Sequence, residues 1–180
     1  MAEDAIEVLY NELTEASKHL LTAEQPSLSI TLEDIHRKCL LLAVASYFEY
    51  KLSETVVTFC SAVVGNDSPI LELVKSKAIA RQYHTWFDWN TSSAAKFFAL
   101  FGQGFKKFAE QRIKADENLS QGVKDFMSLG SDRNRLVHQN FGSFALESTP
   151  MEIMERYRSA TRFVETVPTL LREHLAALGA

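Results

Sequence analysis

The sequence predicts an all-α protein. Apolar residues recur at intervals of three and four in most segments, and the polar–apolar alternation that is typical of strands is hard to find. Only 4 Pro and 7 Gly occur among 180 residues, so few positions would interrupt a helix. A chain of this length can bury a substantial core, and no segment looks like a linker. We therefore expect a single helical domain over residues 1–180.

The first three helices are predicted from periodicity and from their ends. In residues 5–23 the apolar positions have the amphipathic helix period. Pro26 interrupts the pattern, and a second, very apolar helix is expected from near Thr31 to Val64. The segment from Gly65 to Pro69 should end it, since Gly and Pro both continue helices poorly. A third helix is expected over residues 70–79.

The second half of the chain is also predicted to be helical. An aromatic patch at residues 83–89 precedes a helical stretch with phenylalanines from Phe97 to Phe108. From Ser120 to residue 138 the spacing is helical again, although Gly130 leaves open whether this is one helix or two. Residues 140–143 look like a turn. The last helix should start at Thr149 and Pro150, and Pro168 is expected to kink or interrupt it.

The charge and the cysteines exclude several classes of protein. A net charge of -4 argues against a protein that coats nucleic acid by general attraction, so any contact with RNA must be local. Cys39 and Cys60 lie far apart in sequence, and neither a zinc site nor a disulfide framework is indicated. The acidic start Met1-Ala2-Glu3-Asp4 does not resemble a signal peptide, and the apolar run of residues 39–45 is too short to span a membrane. We expect a cytoplasmic protein.

The segment from Arg133 to His138 combines two guanidinium groups, a carboxamide and an imidazole within six residues. An arginine suits phosphate oxygens, and an imidazole exchanges protons near neutral pH. Cleavage of RNA by its own 2'-hydroxyl needs both properties. On a helix Asn134 and His138 share a face, whereas Arg133 and His138 lie about 140° apart. For Arg133 to act with His138, the helix must bend there or groups from elsewhere must complete the site.

The pattern Arg133-Asn134-x-x-x-His138 resembles the signature of the HEPN superfamily. The phenylalanine-rich stretch at residues 97–105, the charged helix that follows it and the approach at residues 123–129 resemble the RiboL-PSP-HEPN group of predicted ribonucleases. The resemblance extends over about residues 35–141. It implies a HEPN-type helical bundle, here with additional helices.

The same resemblance implies a function. HEPN proteins of this kind are metal-independent endoribonucleases that leave a cyclic phosphate, often as toxins or in defence against phages, and two protomers usually pair so that both motifs line one cleft. Carried over, Arg133 would hold the scissile phosphate, Asn134 would orient the motif or the phosphate, and His138 would transfer protons. The implied partners are RNA, a second copy of the chain, and an antitoxin or defence protein; no cofactor and no metal is implied. Alternatively, a non-catalytic HEPN domain would bind RNA, a nucleotide or a partner protein, or the motif is accidental in a helical interaction module.

Several other residues have two interpretations. Glu49 lies in an apolar run, where a carboxylate pairs with a motif group such as Arg133 or lies exposed on the outer face. Glu49 and Arg135 are also candidates for substrate binding, although Arg135 has no place in the signature and solvent exposure is its more ordinary interpretation. Trp86 and Trp89 either stack bases or fill a core or a dimer interface. His36 and His84 lie beside carboxylates but lack the spacing and the number of ligands of a metal site, so we predict no metal. A group of basic side chains could contact phosphate locally, although a solvated helix face explains them at least as well: Arg156, Arg158, Arg162, Lys106, Lys107, Arg112 and Lys114.

Overall fold

The computed structural model describes residues 5–179, and every regular element in that range is helical. The all-α prediction is confirmed. The α-helices are α1 (Ala5–Thr22), α2 (Pro26–Val64), α3 (Pro69–Val74), α4 (Tyr83–Trp86), α5 (Ala95–Ala99), α6 (Gln103–Lys114), α7 (Glu117–His138) and α8 (Pro150–Leu178), and a π-helix (Lys75–Ile79) follows α3 directly.

Three long helices build the bundle. Helix α7 packs most extensively against α8, and α2 packs against α1 and α8. Their buried hydrophobic side chains belong to one cluster that also includes Phe97 and Phe98 of α5 and Phe105 of α6. Burial of large aromatic side chains supplies much of the stabilisation of such a core. None of the helices within residues 5–179 is long and apolar enough to cross a membrane.

The helix ends mostly follow the predicted signals. Gly65 ends α2 with a positive φ of 86°, and its N–H donates to the Ser61 carbonyl at 2.8 Å. At the start of α8 the Thr149 hydroxyl accepts from the Glu152 N–H, and the Glu152 carboxylate accepts from the Thr149 N–H, which is a capping box. Residues 141–143 form the predicted turn after α7.

Four details differ from the prediction or decide between its alternatives. Helix α2 begins at Pro26, about five residues early, because Pro suits the first helical turn and Ser29 then hydrogen bonds to Ser17 of α1. The phenylalanine-rich stretch is two helices, separated at Gly102, whose φ is 97°. Helix α7 continues through Gly130 as one helix. Helix α8 is not interrupted at Pro168, because buried residues on both sides of it anchor its turns in the core.

Candidate active site

A pocket of about 370 Å³ opens between α2, α7 and the segment that contains α4. Its apolar floor includes Phe48 and Phe126, which are both buried. Its rim is polar and carries charges of both signs. The polar residues and tyrosine that line it are Glu49, Arg81, Tyr83, His84, Arg133, Asn134 and His138.

The motif occupies the last turns of α7. Leu136 is fully buried and anchors this part of the helix in the core, while Arg133, Asn134 and His138 line the pocket. The Arg133 Nη1 donates a hydrogen bond to the Asn134 Oδ1 at 3.2 Å. The carboxamide therefore fixes the direction of the guanidinium, and the imidazole of His138 stands exposed at the end of the helix.

Arg133 and His138 line the same pocket without a break in the helix between them. The first of the two conditions derived from helix geometry, a bend at Arg133, is therefore not met. Residues of α2 and of the segment around α4 also line this pocket, and whether they complete a working site with the motif stays a prediction.

Glu49 and Arg135 are placed differently from the motif residues. Glu49 is exposed and lines the same pocket as Arg133, but no ion pair joins these two described side chains. The suggested pairing is thus not formed, since solvent reaches both groups and neither requires a charged partner. Arg135 is exposed outside the pocket, 3.7 Å from Asp132 and with its guanidinium 5.5 Å from the centre of the Phe144 ring. Its role as a substrate-binding residue stays a prediction.

Three further residues of the pocket come from the segment around α4 and are not part of the motif. Arg81 lies in the turn after the π-helix, His84 lies in α4, and Trp89 follows that helix. The sequence suggests His84 only as a possible metal ligand, and no pattern in it indicates Arg81. No group of three or more His, Cys, Asp or Glu side chains within residues 5–179 is arranged to hold a metal ion.

The two tryptophans lie in different surroundings, one in the core and one at the pocket. Trp86 is buried in the core, and its indole N–H donates to the Ala78 carbonyl at 2.9 Å, so it is not available to stack on a base. Trp89 is half-buried and lines the pocket. Its indole N–H donates to the His84 carbonyl at 3.1 Å, which ties the ring to the backbone of α4.

Tyr83 stays protonated in this pocket. Burial raises the pKa of its phenol, the charge of Glu49 raises it further, and the charge of Arg133 lowers it. A phenol with a raised pKa can donate a hydrogen bond but does not release its proton near neutral pH.

One comparison with known proteins identifies the family. The RiboL-PSP-HEPN family profile matches residues 7–173, nearly the whole chain. No curated protein and no solved structure is significantly similar to the chain. A HEPN domain indicates an RNA-related function of the nuclease type. The match extends well beyond the motif to the surrounding helices, and the chain therefore belongs to the RiboL-PSP-HEPN family.

Proposed function

We propose that this protein is a metal-independent endoribonuclease and that the pocket at the end of α7 is its active site. The observation that carries the proposal is that Arg133, Asn134 and His138 line one pocket. These are the three residues that the sequence pattern assigned to the reaction. The positive charge is local, as it must be in a chain whose net charge is -4.

The reaction that suits these groups is transesterification by the 2'-hydroxyl of the RNA. The Arg133 guanidinium binds non-bridging oxygens of the scissile phosphate, and Asn134 keeps that guanidinium in place through the bond between them. His138 takes part in proton transfer. The 2'-oxygen forms a bond to phosphorus, the bond from phosphorus to the 5'-oxygen breaks, and the products are a 2',3'-cyclic phosphate and a 5'-hydroxyl.

The biological setting is proposed from the family resemblance. Two protomers would pair so that both motifs line one cleft and form a composite site. Exposed apolar side chains close to His138 in sequence, Val137 and Phe141, support an interface at this end of the bundle. We propose a cytoplasmic toxin or antiphage effector that an antitoxin or defence protein restrains.

RNA cleavage in the presence of EDTA tests the activity. We expect the wild type to cleave RNA, and Arg133→Ala and His138→Ala to lose about 100-fold or more of that activity, because each removes a group that acts in the transition state. Arg172→Ala is a matched control, since it removes an exposed guanidinium of α8 that lies outside the pocket. An oligonucleotide with a 2'-deoxy sugar at the cleavage site should resist the enzyme.

Binding measurements distinguish a nuclease from a non-catalytic domain that only binds RNA. If the wild type binds RNA but never cleaves it, and the Arg133→Ala variant loses that binding, the pocket is a binding site without chemistry. If both alanine variants match the wild type in cleavage and binding, the motif has no function and the proposal fails.

Mixing the two inactive variants tests the composite site. If Arg133 of one protomer acts with His138 of the other, mixed dimers regain one working site, and randomly assorted protein recovers about a quarter of the wild-type rate. If mixed dimers form but recover nothing, the residues act within one chain, as their shared pocket would allow. Analytical ultracentrifugation of the same samples confirms that dimers are present.

A further inference from the structure

The reaction proposed above needs two proton transfers, and the motif of one chain supplies one imidazole. One proton leaves the 2'-hydroxyl as it attacks, and another must reach the 5'-oxygen as it departs, because a free alkoxide is a poor leaving group. The site therefore requires a second group that exchanges protons near neutral pH, or it loses much of the available acceleration. Within one chain the motif contains no such second group. In the proposed dimer a second copy would bring its own His138, and the test below distinguishes the two arrangements, because His84→Ala would then keep its activity.

The pocket offers few candidates for this second role. Arginine stays charged at all physiological pH values, which excludes Arg81 and Arg133. Burial raises the pKa of the Tyr83 phenol and keeps it protonated. The titratable side chains that remain along the pocket are His84, His138 and the carboxylate of Glu49.

His84 is held at the pocket by the backbone around it. Arg81 has a φ of 60°, a left-handed conformation that is uncommon outside glycine, and this residue turns the chain from the π-helix into α4. The Trp86 indole fixes α4 to the Ala78 carbonyl, and the Trp89 indole fixes the His84 carbonyl. The His84 side chain is exposed at the pocket, where a phosphodiester could reach it.

We propose that His84 is the second proton-transfer residue, acting together with His138 on the same phosphodiester. This rests on the function proposed above. One imidazole accepts the proton of the 2'-hydroxyl while the 2'-oxygen attacks phosphorus. The other, as imidazolium, donates its proton to the 5'-oxygen while the bond to phosphorus breaks. The pair ends with one proton moved between its members, and Arg133 neutralises the charge on the phosphate throughout.

The geometry favours a histidine over the carboxylate for this partner. His84 belongs to α4 and His138 to the end of α7, so the two imidazoles reach the pocket from different elements. In-line displacement places the attacking and leaving oxygens on opposite sides of phosphorus, and two proton-transfer groups from different elements suit that arrangement. Glu49 comes from α2, and its charge faces Tyr83.

A change of leaving group tests the proposal. The substrate is an RNA oligonucleotide that the wild type cleaves, compared with the same oligonucleotide carrying sulfur in place of the 5'-oxygen at the scissile phosphate. A thiolate leaves without being protonated, because a thiol has a pKa of about 8.5. The variants are His84→Ala and His138→Ala, with His19→Ala, an exposed histidine on α1, as the matched control.

We expect His84→Ala and His138→Ala each to lose about 100-fold to 10,000-fold on ordinary RNA. On the sulfur substrate one of the two, the variant that lacks the proton donor, should approach the wild-type rate, and the other should stay slow. Added imidazole should restore the slow variant in part, which it would not do for a residue that only supports the fold. His19→Ala should match the wild type on both substrates.

The outcomes distinguish this proposal from the one on which it rests. If His84→Ala cleaves ordinary RNA within about threefold of the wild type while His138→Ala does not, the function stands and the role of His84 is overturned. The assignment of one histidine as proton donor and the other as proton acceptor is wrong if neither variant or both variants recover on the sulfur substrate. It is also wrong if added imidazole restores no activity. If the wild type cleaves neither substrate, the proposed function fails and the role of His84 falls with it.

Discussion

The ring of Trp89 lies directly on the backbone of Gly130 in α7. A Cβ added at residue 130 would come within 1.9 Å of the Trp89 Cζ3 atom, so only glycine allows this contact. Both residues line the pocket, and Arg133 follows Gly130 by one helical turn. Glycine lowers the intrinsic stability of α7 as a helix. Its lack of a side chain allows Trp89 to pack directly against α7, close to the motif.

Replacing Gly130 by alanine should therefore destabilise the protein. In an exposed helix the change would stabilise by about 1 kcal/mol, but here the indole must move, and we expect a net loss of about 1–3 kcal/mol in the free energy of unfolding. Denaturant unfolding measures it. In the Trp89→Ala background the same substitution should cost much less. Gly104→Ala is the control, since its Cβ would meet only the His174 ring at 3.5 Å. Equal effects in both backgrounds would contradict the contact.

Asp132 and Arg156 join α7 to α8 one residue before the motif. Their atoms Oδ2 and Nη1 are 2.9 Å apart, and the same Nη1 donates to Ser128 Oγ at 3.0 Å. Both side chains are less than one-fifth exposed. We expect Asp132→Ala to lower the free energy of unfolding by about 1–2 kcal/mol, because it leaves a half-buried guanidinium with fewer partners.

An exposed ion pair provides the comparison for Asp132. Arg112 and Glu173 also connect two helices, at 3.1 Å, but both side chains are largely open to solvent. Arg112→Ala should change the free energy of unfolding by less than about 0.5 kcal/mol. A loss at Arg112 as large as the loss at Asp132 would mean that burial does not set the strength of these pairs.

Lys38 of α2 holds the loop that follows the motif. Its ammonium group is buried, donates to Asp34 at 2.7 Å and to the Phe141 carbonyl at 3.0 Å, and lies 5.4 Å from the centre of the Phe141 ring. We expect Lys38→Met to destabilise the protein by about 1–3 kcal/mol and to speed amide hydrogen exchange in residues 139–146. Lys51→Met, at an exposed lysine with an acidic partner three residues away, should do neither. Unchanged exchange in that loop would refute the anchoring role.

His36 should make the stability depend on pH. Burial lowers the pKa of its imidazole, and the charge of Glu33 partly offsets this by raising it. The ring is buried beside Tyr10, and its Nε2 has no hydrogen-bond partner among the described residues. The unfolded chain binds a proton near the ordinary value of 6.5 and the folded protein only at lower pH. Protonation of His36 therefore does not reduce the free energy of unfolding above pH 6.5. Below that value the free energy of unfolding decreases as the pH falls through the folded pKa.

The variant His36→Phe should remove this pH dependence while keeping an aromatic ring against Tyr10. Urea unfolding at several values between about pH 7.5 and pH 5.5 gives the slope of the free energy of unfolding for both proteins. The wild type should lose stability toward the acidic end, and the variant should lose less. Parallel slopes would show that His36 does not cause the dependence.

The sequence by itself determined the helical class, most helix ends and the position of the motif. These features depend on local chemistry: the helical period of apolar residues, the glycine at residue 65, and the capping residues Thr149 and Glu152. The family assignment likewise followed from residues that lie close together along the chain. That residues 1–180 form one domain, that the protein is cytoplasmic, and that it dimerises stay predictions.

Only the tertiary structure decided which groups complete the site. Arg81 and His84 lie about 50 residues before the motif, and no local pattern connects them with Arg133 or His138. They reach the pocket because the chain turns at Arg81 and because Trp89 packs on Gly130, and both arrangements depend on contacts between distant segments. Local preferences fix where helices begin and end, whereas the packing of helices fixes which of their side chains share a space.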